Sequence, residues 1–292
     1  MIYLDNAATT ALSPAAIQAM TKNMTVFGNP SSTHSHGREA SKLLRQARED
    51  IAQALHTQSN KILFTSGGTE SNNTAIKGYV LRHQNRGKHI VTTAIEHHAV
   101  LEVVEYLVDK FGFEATFVQP VDGQIRAADI KKALRPDTIL VSVMAVNNET
   151  GAMLPIKEIG ELLHEHPAVF HVDAVQAIGK LPIYPDELGI DLLSASAHKF
   201  HGPKGVGFLY AKKMDFDNFM HGGDQEEKHR AGTENLISIT GMAAALSDST
   251  EHLEENLAHA QDLKDSLLAD LSDIKHYLNE SQPSLPYVIN LG

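Results

Sequence analysis

Short apolar runs alternate with amphipathic segments along most of the chain. The apolar runs predict strands at 61–65, 89–94, 114–119, 138–144, 168–173, 192–196 and 206–211. Most of these runs are apolar throughout, as expected for strands that are covered on both faces. The segments between them predict helices over 70–83, 98–111, 127–134 and 155–165. This alternation predicts an α/β fold with a mostly parallel, mixed sheet and helices on both of its faces.

Two further helices are predicted before the first strand. Ser13 followed by Pro14 is typical of an N-cap and a first helical turn, and it predicts a helix that runs to about Met24. Residues 38–55 carry apolar side chains at helical spacing and predict a second helix. Residues 1–12 are predicted to form an arm.

The composition narrows the class of protein. The chain has 292 residues, 42% of them apolar and 21% charged, which is typical of a globular protein with a sizeable core. A net charge of -11 argues against a nucleic-acid-binding or membrane-binding surface. The sequence shows neither a secretory signal nor an apolar window of transmembrane length, so we expect a cytoplasmic location. There are no cysteines, which excludes disulfides, thiolate nucleophiles and zinc–thiolate sites within these residues.

The loop Ser194–Gly207 lies between two predicted buried strands and contains Lys199. An ammonium packed among apolar strands loses hydration, which lowers its pKa and leaves an amine able to form a Schiff base. A second lysine, Lys204, lies in the same loop. Nothing in the local sequence decides which of the two is reactive, and a solvated loop lysine is the alternative interpretation.

The segment 66–73, SGGTESNN, follows the first predicted strand. Its glycines allow a tight turn, Thr69 is predicted to cap the next helix, and Glu70 opens that helix. Free backbone N–H groups and the positive end of the helix dipole would then point toward the same site, which would suit a phosphate. A plain strand-to-helix turn with a good cap is the alternative.

Two adjacent histidines, His97 and His98, follow the strand predicted at 89–94. They could be metal ligands, but consecutive residues point to different sides and no cluster of carboxylates lies nearby in the sequence. Stacking of one flat imidazole on an aromatic ring is the favoured interpretation. No metal site is therefore predicted.

Polar residues also follow the strands that end at 144 and 173. Asn147 and Asn148 indicate either a turn or an amide aimed at a ligand. Asp173 ends an apolar strand, where a carboxylate is costly to bury without a cationic partner, and Gln176 is close enough to point into the same site. A phosphate cradle, a stacking ring, a buried carboxylate and a reactive lysine are together what pyridoxal phosphate requires.

Eight segments resemble those of the cysteine desulfurases of the NifS/IscS type, which are class-V aminotransferases. They are LDNAATT (4–10), GNPSSTHSHG (28–37), FTSGGTESNN (64–73), EHHAV (96–100), VNNETG (146–151), HVDAVQAIGK (171–180), SASAHKFHGPKGVG (194–207) and HRAGTEN (229–235). The resemblance implies a fold-type I enzyme that binds pyridoxal 5'-phosphate, forms a homodimer, and has a large cofactor domain and a small domain built from both chain ends.

The resemblance also implies a role for each site residue. Lys199 would bind the cofactor covalently and later move the α-proton of the substrate. His97 would stack on the cofactor ring and take part in catalysis by shuttling protons. Asp173 would pair with the ring nitrogen, and Gln176 would bond the phenolic oxygen. Asn148 would lie over the cofactor near the substrate carboxylate. The phosphate would be held by Gly68, Thr69, Ser196 and His198, and by Thr233 of the partner subunit.

The reaction implied by the resemblance converts L-cysteine to L-alanine and transfers the sulfur. In the family a cysteine on a mobile loop takes the sulfur as a persulfide and passes it to an iron–sulfur scaffold or a tRNA-thiolation enzyme. This sequence contains no such cysteine and ends before the substrate-carboxylate arginine of the family. The alternatives are another pyridoxal phosphate C–S lyase or selenocysteine lyase, or a shortened non-catalytic paralogue that acts through its dimer surface.

The resemblance divides the chain into three parts. Residues 1–14 would be an arm that packs with the small domain, 15–252 the large cofactor domain, and 253–292 the start of a small C-terminal domain that lacks its remainder. The run YVINLG at 287–292 is predicted to be the first strand of that small domain. An incomplete small domain is expected to expose apolar surface from Leu285 to Leu291. The acidic segment 224–229, DQEEKH, departs from the usual Gln-Glu-Arg pattern of the family.

Overall fold

Seven strands form one mixed sheet in a computed structural model that describes residues 2–281 and 283–292. The strands are β1 Ile62–Thr65, β2 His89–Thr93, β3 Glu114–Val118, β4 Thr138–Met144, β5 Val169–Asp173, β6 Leu192–Ser196 and β7 Gly207–Ala211. Their order is β1-β7-β6-β5-β4-β2-β3. Strands β2 to β6 pair in parallel, whereas β7 is antiparallel to both β6 and β1. Every predicted strand is confirmed to within one residue at each end.

The helices connect and cover these strands. They are α1 Pro14–Asn23, α2 Ser35–Ala54, α3 Gly68–Asn73, α4 Tyr79–Arg82, α5 His98–Phe111, α6 Ala127–Ala133, α7 Ile156–Leu163, α8 Leu236–Glu251 and α9 Leu253–Asp270. The helix predicted over 70–83 is α3 and α4 joined by a π-helical turn at Thr74–Gly78. Ser13 caps α1 as predicted, because its Oγ accepts a hydrogen bond of 3.1 Å from Ala16 N. No helix in the described part of the chain is long and apolar enough to cross a membrane.

The sheet is buried on both faces. Successive residues of β4 point to opposite sides, so Val141 packs in one apolar cluster and Leu140 in the other. Strand β3 lies at the edge of the sheet and is only partly buried, with Glu114 exposed at its start. Burial of a large aliphatic side chain stabilises the fold by roughly 1.5–3 kcal/mol. The two clusters thus hold the carboxyl ends of the central strands in fixed positions.

The arm predicted for residues 1–12 contains neither helix nor strand within 2–12 and packs on the loop after β6. The N–H and Oγ1 of Thr10 both donate to the His198 carbonyl, at 2.9 and 3.0 Å. The N–H of Ser13 donates to the His201 carbonyl at 2.9 Å. These contacts bring the start of the chain next to the predicted reactive lysine.

The strand predicted at 287–292 is wrong. The described residues 283–292 form isolated bridges only, Ser284 with Ala152 and Leu291 with Leu278. The predicted apolar exposure is also wrong for Leu285, which is 0% exposed, because this segment packs on the turn after β4 and Leu285 N donates to Gly151 O. Leu291 is 41% exposed. The division of the chain into a large and a small domain stays a prediction.

Candidate active site

A cavity of about 480 Å³ opens at the carboxyl ends of β4, β5 and β6, where ligands bind in sheets of this kind. Its lining includes every predicted site residue except Thr233, namely Gly68, Thr69, His97, Asn148, Asp173, Gln176, Ser196, His198 and Lys199. These residues come from five separate stretches of sequence. The sheet topology therefore brings together groups that sequence analysis could only list one by one.

Lys199 ends the 3-10 turn Ala197–Lys199 that directly follows β6. Its side chain is half-buried, and Nζ donates a short hydrogen bond to the Ala7 carbonyl. Burial lowers the pKa of Lys199, while nearby carboxylates, Asp173 first among them, act in the opposite direction. Lys204 is exposed and does not line the cavity. The structure thus distinguishes the two lysines that the local sequence left equivalent.

Asp173 is the last residue of β5 and is only 5% exposed. Its Oδ2 accepts a hydrogen bond of 2.7 Å from Asn72 Nδ2, and its Oδ1 accepts one of 3.0 Å from Val175 N. Burial raises the pKa of Asp173, although these hydrogen bonds and the positive charge of Lys199 oppose the rise. None of the described cationic side chains forms an ion pair with this carboxylate, which therefore suits a cationic group of a ligand.

The segment between β1 and α3 forms the predicted cradle. Gly67 is the N-cap of α3 at φ +144°, a conformation that side-chain-bearing residues rarely adopt. The first N–H groups of the helix, including those of Gly68 and Thr69, have no acceptor within the helix and lie at the cavity. A Cβ on Gly68 would lie 2.6 Å from Val175 Cγ2, so the backbone approaches its neighbour closely here. The arrangement suits an anion such as phosphate.

The predicted cap by Thr69 is wrong, because Gly67 occupies the cap position and no side chain caps the helix there. Instead, Glu70 reaches back and accepts a hydrogen bond of 2.8 Å from Ser66 N. Burial raises the pKa of Glu70, but hydrogen bonds from Arg230, at 2.8 Å, and Ser66 outweigh burial and lower it overall. The ion pair with Arg230 keeps this negative charge from repelling an anion in the cradle.

Thr233 follows Arg230 by three residues, is exposed and does not line the cavity of this subunit. Its contact with the phosphate site of a partner subunit stays a prediction.

His97 is the N-cap of α5, and its Nδ1 accepts a hydrogen bond of 3.0 Å from Ala99 N. Nδ1 is therefore an acceptor, which leaves Nε2 as the ring atom that carries a proton in the neutral form. The ring is exposed and lines the cavity, and its centroid lies 6.2 Å from that of His98. Within residues 2–281 and 283–292 no group of three or more histidine or acidic side chains is arranged to hold a metal ion.

The two asparagines after β4 have separate roles. Asn147 is buried and makes the turn, since its Oδ1 accepts hydrogen bonds from Glu149 N and from the N–H and hydroxyl of Thr150. Asn148 is half-buried and lines the cavity, where its Nδ2 donates to Glu149 Oε1 at 2.7 Å. The turn predicted by the sequence is therefore made by Asn147, whereas a contact between Asn148 and a ligand stays a prediction.

Two parts of the site were not predicted from the sequence. The N-terminal segment lines the cavity through Leu4, Asp5, Ala7 and Ala8, and the C-terminal segment lines it through Tyr287, Val288 and Ile289. The motif LDNAATT was recognised in the sequence, but Ala7 within it contributes through its backbone carbonyl, which accepts a hydrogen bond from Gln176. A backbone group leaves no signal in the side chains of a sequence.

Glu96 was also not singled out in the sequence. It does not line the cavity, but it is 5% exposed and lies just before His97. Its Oε1 accepts hydrogen bonds from Thr93 Oγ1 and Met144 N, whereas Oε2 is buried without a partner among the described residues. Burial raises the pKa of Glu96 to about 8, so this carboxyl group is mostly protonated at neutral pH.

These residues fit pyridoxal phosphate. The buried carboxylate of Asp173 lacks a cationic partner and faces the same cavity as the amine of Lys199. The close approach at Gly68 leaves backbone N–H groups free for a phosphate. Ser196 and His198 line the cavity with the cradle, and His97 offers an exposed ring. The cavity therefore offers one group for each polar part of the cofactor.

Comparisons with known proteins show the family of this chain. The family model described as aminotransferase class-V matches residues 2–291. The cysteine desulfurase IscS of Dictyoglomus turgidum is 47% identical over 300 aligned residues, which cover 100% of this chain and 75% of that protein.

Two solved structures are also similar. A NifS-like protein matches with a TM-score of 0.94 at 38% identity, covering 98% of this chain and 80% of that one. A structure titled SspA in complex with cysteine matches with a TM-score of 0.89 at 34% identity, covering 98% and 82% of the two chains.

The fold is that of the fold-type I enzymes that depend on pyridoxal phosphate, and the chain belongs to the class-V aminotransferase family. Within that family it belongs with the cysteine desulfurases of the IscS and NifS type. The resemblance found in the sequence motifs is thereby confirmed over the whole chain.

Proposed function

We propose that this protein binds pyridoxal 5'-phosphate at Lys199 and acts on L-cysteine as a cysteine desulfurase, yielding L-alanine and transferring the sulfur. The observation that carries the proposal is the meeting of Lys199, Asp173, His97 and the glycine cradle at Gly68 around one cavity. Identity of 47% to a cysteine desulfurase and similarity to a structure titled as a cysteine complex support the choice of substrate.

Each residue has a defined task in this proposal. Bound pyridoxal phosphate supplies an electron sink that stabilises a carbanion at the substrate α-carbon. Asp173 would hold a proton on the ring nitrogen, because a buried carboxylate is stabilised by a cationic partner. Lys199 has a pKa lowered by burial, so its free amine can take the α-proton. His97 would stack on the ring of the bound cofactor, and Asn148 would donate to the substrate carboxylate.

The sulfur must pass to a thiol outside these 292 residues, because none of them is a cysteine. In balanced form, the acceptor thiolate attacks the sulfur of cysteine and forms the S–S bond of a persulfide. The electron pair of the broken Cβ–S bond stays with the carbon skeleton, Cβ gains one proton, and the α-proton is returned to give alanine. An iron–sulfur scaffold or a tRNA-thiolation enzyme remains the predicted final acceptor. The homodimer, the contact of Thr233 with the partner's cofactor and the cytoplasmic location likewise stay predictions.

A spectral titration with product analysis tests the proposal. The protein is loaded with pyridoxal phosphate and titrated with L-cysteine, with L-serine as the control that lacks sulfur. Alanine is then quantified with and without added dithiothreitol as an external thiol. We expect a cysteine-dependent change in the visible absorption, and alanine formation that rises with the thiol. A protein that binds the cofactor and changes its spectrum equally with both amino acids would contradict the substrate assignment.

One observation favours a second candidate function. A selenocysteine lyase or another C–S lyase depends less on a protein thiol, and this chain contains none. Alanine formation from selenocysteine, with none from cysteine even when a thiol is supplied, would favour that reaction.

A further inference from the structure

Lys180 is a buried lysine beside the cavity, and the proposed reaction gives it no task. It is 7% exposed, and its Nζ donates a hydrogen bond of 3.0 Å to Gln176 Oε1. Burial, together with the positive charge of Lys199, lowers the pKa of Lys180 to about 8, and no carboxylate contributes to that shift. Burying an ammonium costs solvation that a methionine of similar length would avoid. The ammonium is therefore expected to do something that an apolar side chain cannot.

The hydrogen bonds of the Gln176 side chain indicate a role for the Lys180 ammonium. An ammonium has only donors, so the amide must turn its oxygen toward Lys180. On the other side, the Ala7 carbonyl only accepts, and Gln176 Nε2 donates to it at 2.9 Å. Both neighbours impose the same amide orientation. The second N–H of Nε2 has no acceptor among the described residues, and Gln176 lines the cavity.

We propose that Lys180 is a positioning residue that fixes the Gln176 amide with its N–H groups toward the cavity, so that a donor meets the anionic phenolic oxygen of the cofactor. This inference rests on the proposed function, because it concerns the same cofactor site. If Lys180 is removed, the amide is held from one side only and can rotate to place Oε1 against that oxygen. Two acceptors then face each other, which disfavours binding.

The charge of Lys180 adds a second effect. Lys199 lowers the pKa of Lys180 because the two positive charges repel each other. Asp173, Asp5 and Glu149 also act on Lys199 and raise its pKa, and Lys180→Met leaves these three carboxylates unchanged. Neutralising Lys180 should therefore make the nitrogen of Lys199 easier to protonate. The pH midpoint of the visible absorption of the bound cofactor reports that protonation.

The test compares Lys180→Met with wild type in the cofactor-loaded protein. The readouts are the dissociation constant for pyridoxal phosphate and the pH midpoint of the visible absorption. We expect Lys180→Met to weaken cofactor binding roughly 3- to 10-fold and to raise the midpoint by about half a pH unit. Lys180→Arg retains a donor-only cation and should restore both values. Lys157→Met, an exposed lysine in α7, is the matched control and should change neither.

A double-mutant cycle separates positioning from general effects. In a Gln176→Ala background, Lys180→Met should no longer weaken cofactor binding, because no amide is left to orient. An undiminished effect in that background, or wild-type values in Lys180→Met itself, would overturn the proposal. If Lys180→Met does not fold, Lys180→Gln serves in its place, because a neutral amide both donates and accepts and so no longer dictates the orientation. A wild-type protein that binds no cofactor at Lys199 would contradict the proposed function instead.

Discussion

Asn72 Nδ2 donates a hydrogen bond of 2.7 Å to Asp173 Oδ2, and this contact joins the helix behind the phosphate cradle to the carboxylate at the end of β5. Asn72 is 1% exposed, and its own Oδ1 is buried without a partner among the described residues. The amide therefore helps to keep Asp173 ionised against the effect of burial, which raises the pKa of that carboxyl group. The contact couples the two ends of the proposed cofactor site.

The first prediction concerns this contact. Asn72→Leu removes a hydrogen bond to a buried charge, a contact of about 1.5–3 kcal/mol, so we expect the dissociation constant for pyridoxal phosphate to rise at least tenfold. Titration by visible absorption measures the change. Asn73→Ala is the control, because Asn73 Nδ2 bonds only the Thr69 carbonyl within its own helix. Equal affinities of Asn72→Leu and wild type would show that the amide does not support Asp173.

The second prediction concerns the cradle. In Gly68→Ala the new Cβ would meet Val175 Cγ2 at 2.6 Å, so the backbone must shift and the phosphate N–H groups move with it. We expect roughly tenfold weaker cofactor binding, which corresponds to about 1.4 kcal/mol. The double variant Gly68→Ala, Val175→Ala removes the clashing methyl group and should recover most of the affinity. If Val175→Ala does not rescue, the close contact is not the cause of the loss.

The third prediction concerns stability. Arg48 forms a two-pronged ion pair of 2.5 and 2.8 Å with Glu226, whose Oε2 also accepts from Phe64 N at 2.8 Å. The Glu226 side chain is 2% exposed. Arg48→Met leaves this carboxylate buried without its cation, so we expect the free energy of unfolding to fall by about 3 kcal/mol.

Urea denaturation measures that change. The control is Arg82→Met, which breaks an ion pair with the exposed Asp215 and should change stability little. The ion pair of Arg48 also anchors a segment in which Glu226, Glu227 and Lys228 all have positive φ. A loss in Arg48→Met no larger than that in Arg82→Met would contradict the structural role of Glu226.

The fourth prediction concerns pH. Burial raises the pKa of Glu96 to about 8, above its ordinary value of 4.5. The folded state therefore holds this proton over a range in which the unfolded state has lost it. The stabilising contribution is complete below about pH 4.5 and is lost as the pH rises toward 8.

Glu96→Gln removes this pH dependence. The unfolding free energy of the variant relative to wild type should increase between pH 5 and pH 8, by on the order of 3 kcal/mol. Denaturation at a series of pH values measures the difference, and Glu102→Gln, an exposed residue of α5, serves as the control. A difference that does not vary with pH would mean that Glu96 is ionised in the folded protein.

The strands were predictable because their apolar runs are buried on both faces, which leaves a strong and local signal. Strand β4 at Thr138–Met144 is buried at every position and matches its prediction at both ends. The π-helical turn at Thr74–Gly78 was not predictable, because the apolar spacing along the helix does not reveal a change of hydrogen-bond pattern within it. The antiparallel direction of β7 follows from the short loop after Lys199, but the sequence analysis specified only a mixed sheet.

The residues that line the cavity were predictable where they contribute a polar or charged side chain. Asp173 ends a strand, Lys199 and His97 come shortly after one, and strand ends meet at one edge of a parallel sheet. The contribution of Ala7 was not predictable, because Ala7 contacts Gln176 and Lys199 through its backbone carbonyl, a group that every residue has. Lys180 was visible within the motif HVDAVQAIGK, yet its burial against Gln176 depends on how the turn after β5 folds.

The measurement that tests the central claim most directly is a map of where the cofactor attaches. The protein is incubated with pyridoxal phosphate, reduced with borohydride to fix any Schiff base, digested, and analysed by mass spectrometry. We predict that the cofactor is found on Lys199 and that no lysine is labelled in its place in Lys199→Ala. Lys204, which is exposed, and Lys180, which lies behind Gln176, serve as internal controls in the same digest. Label spread over exposed lysines, or label that persists in Lys199→Ala, would contradict the assignment of this cavity as the cofactor site.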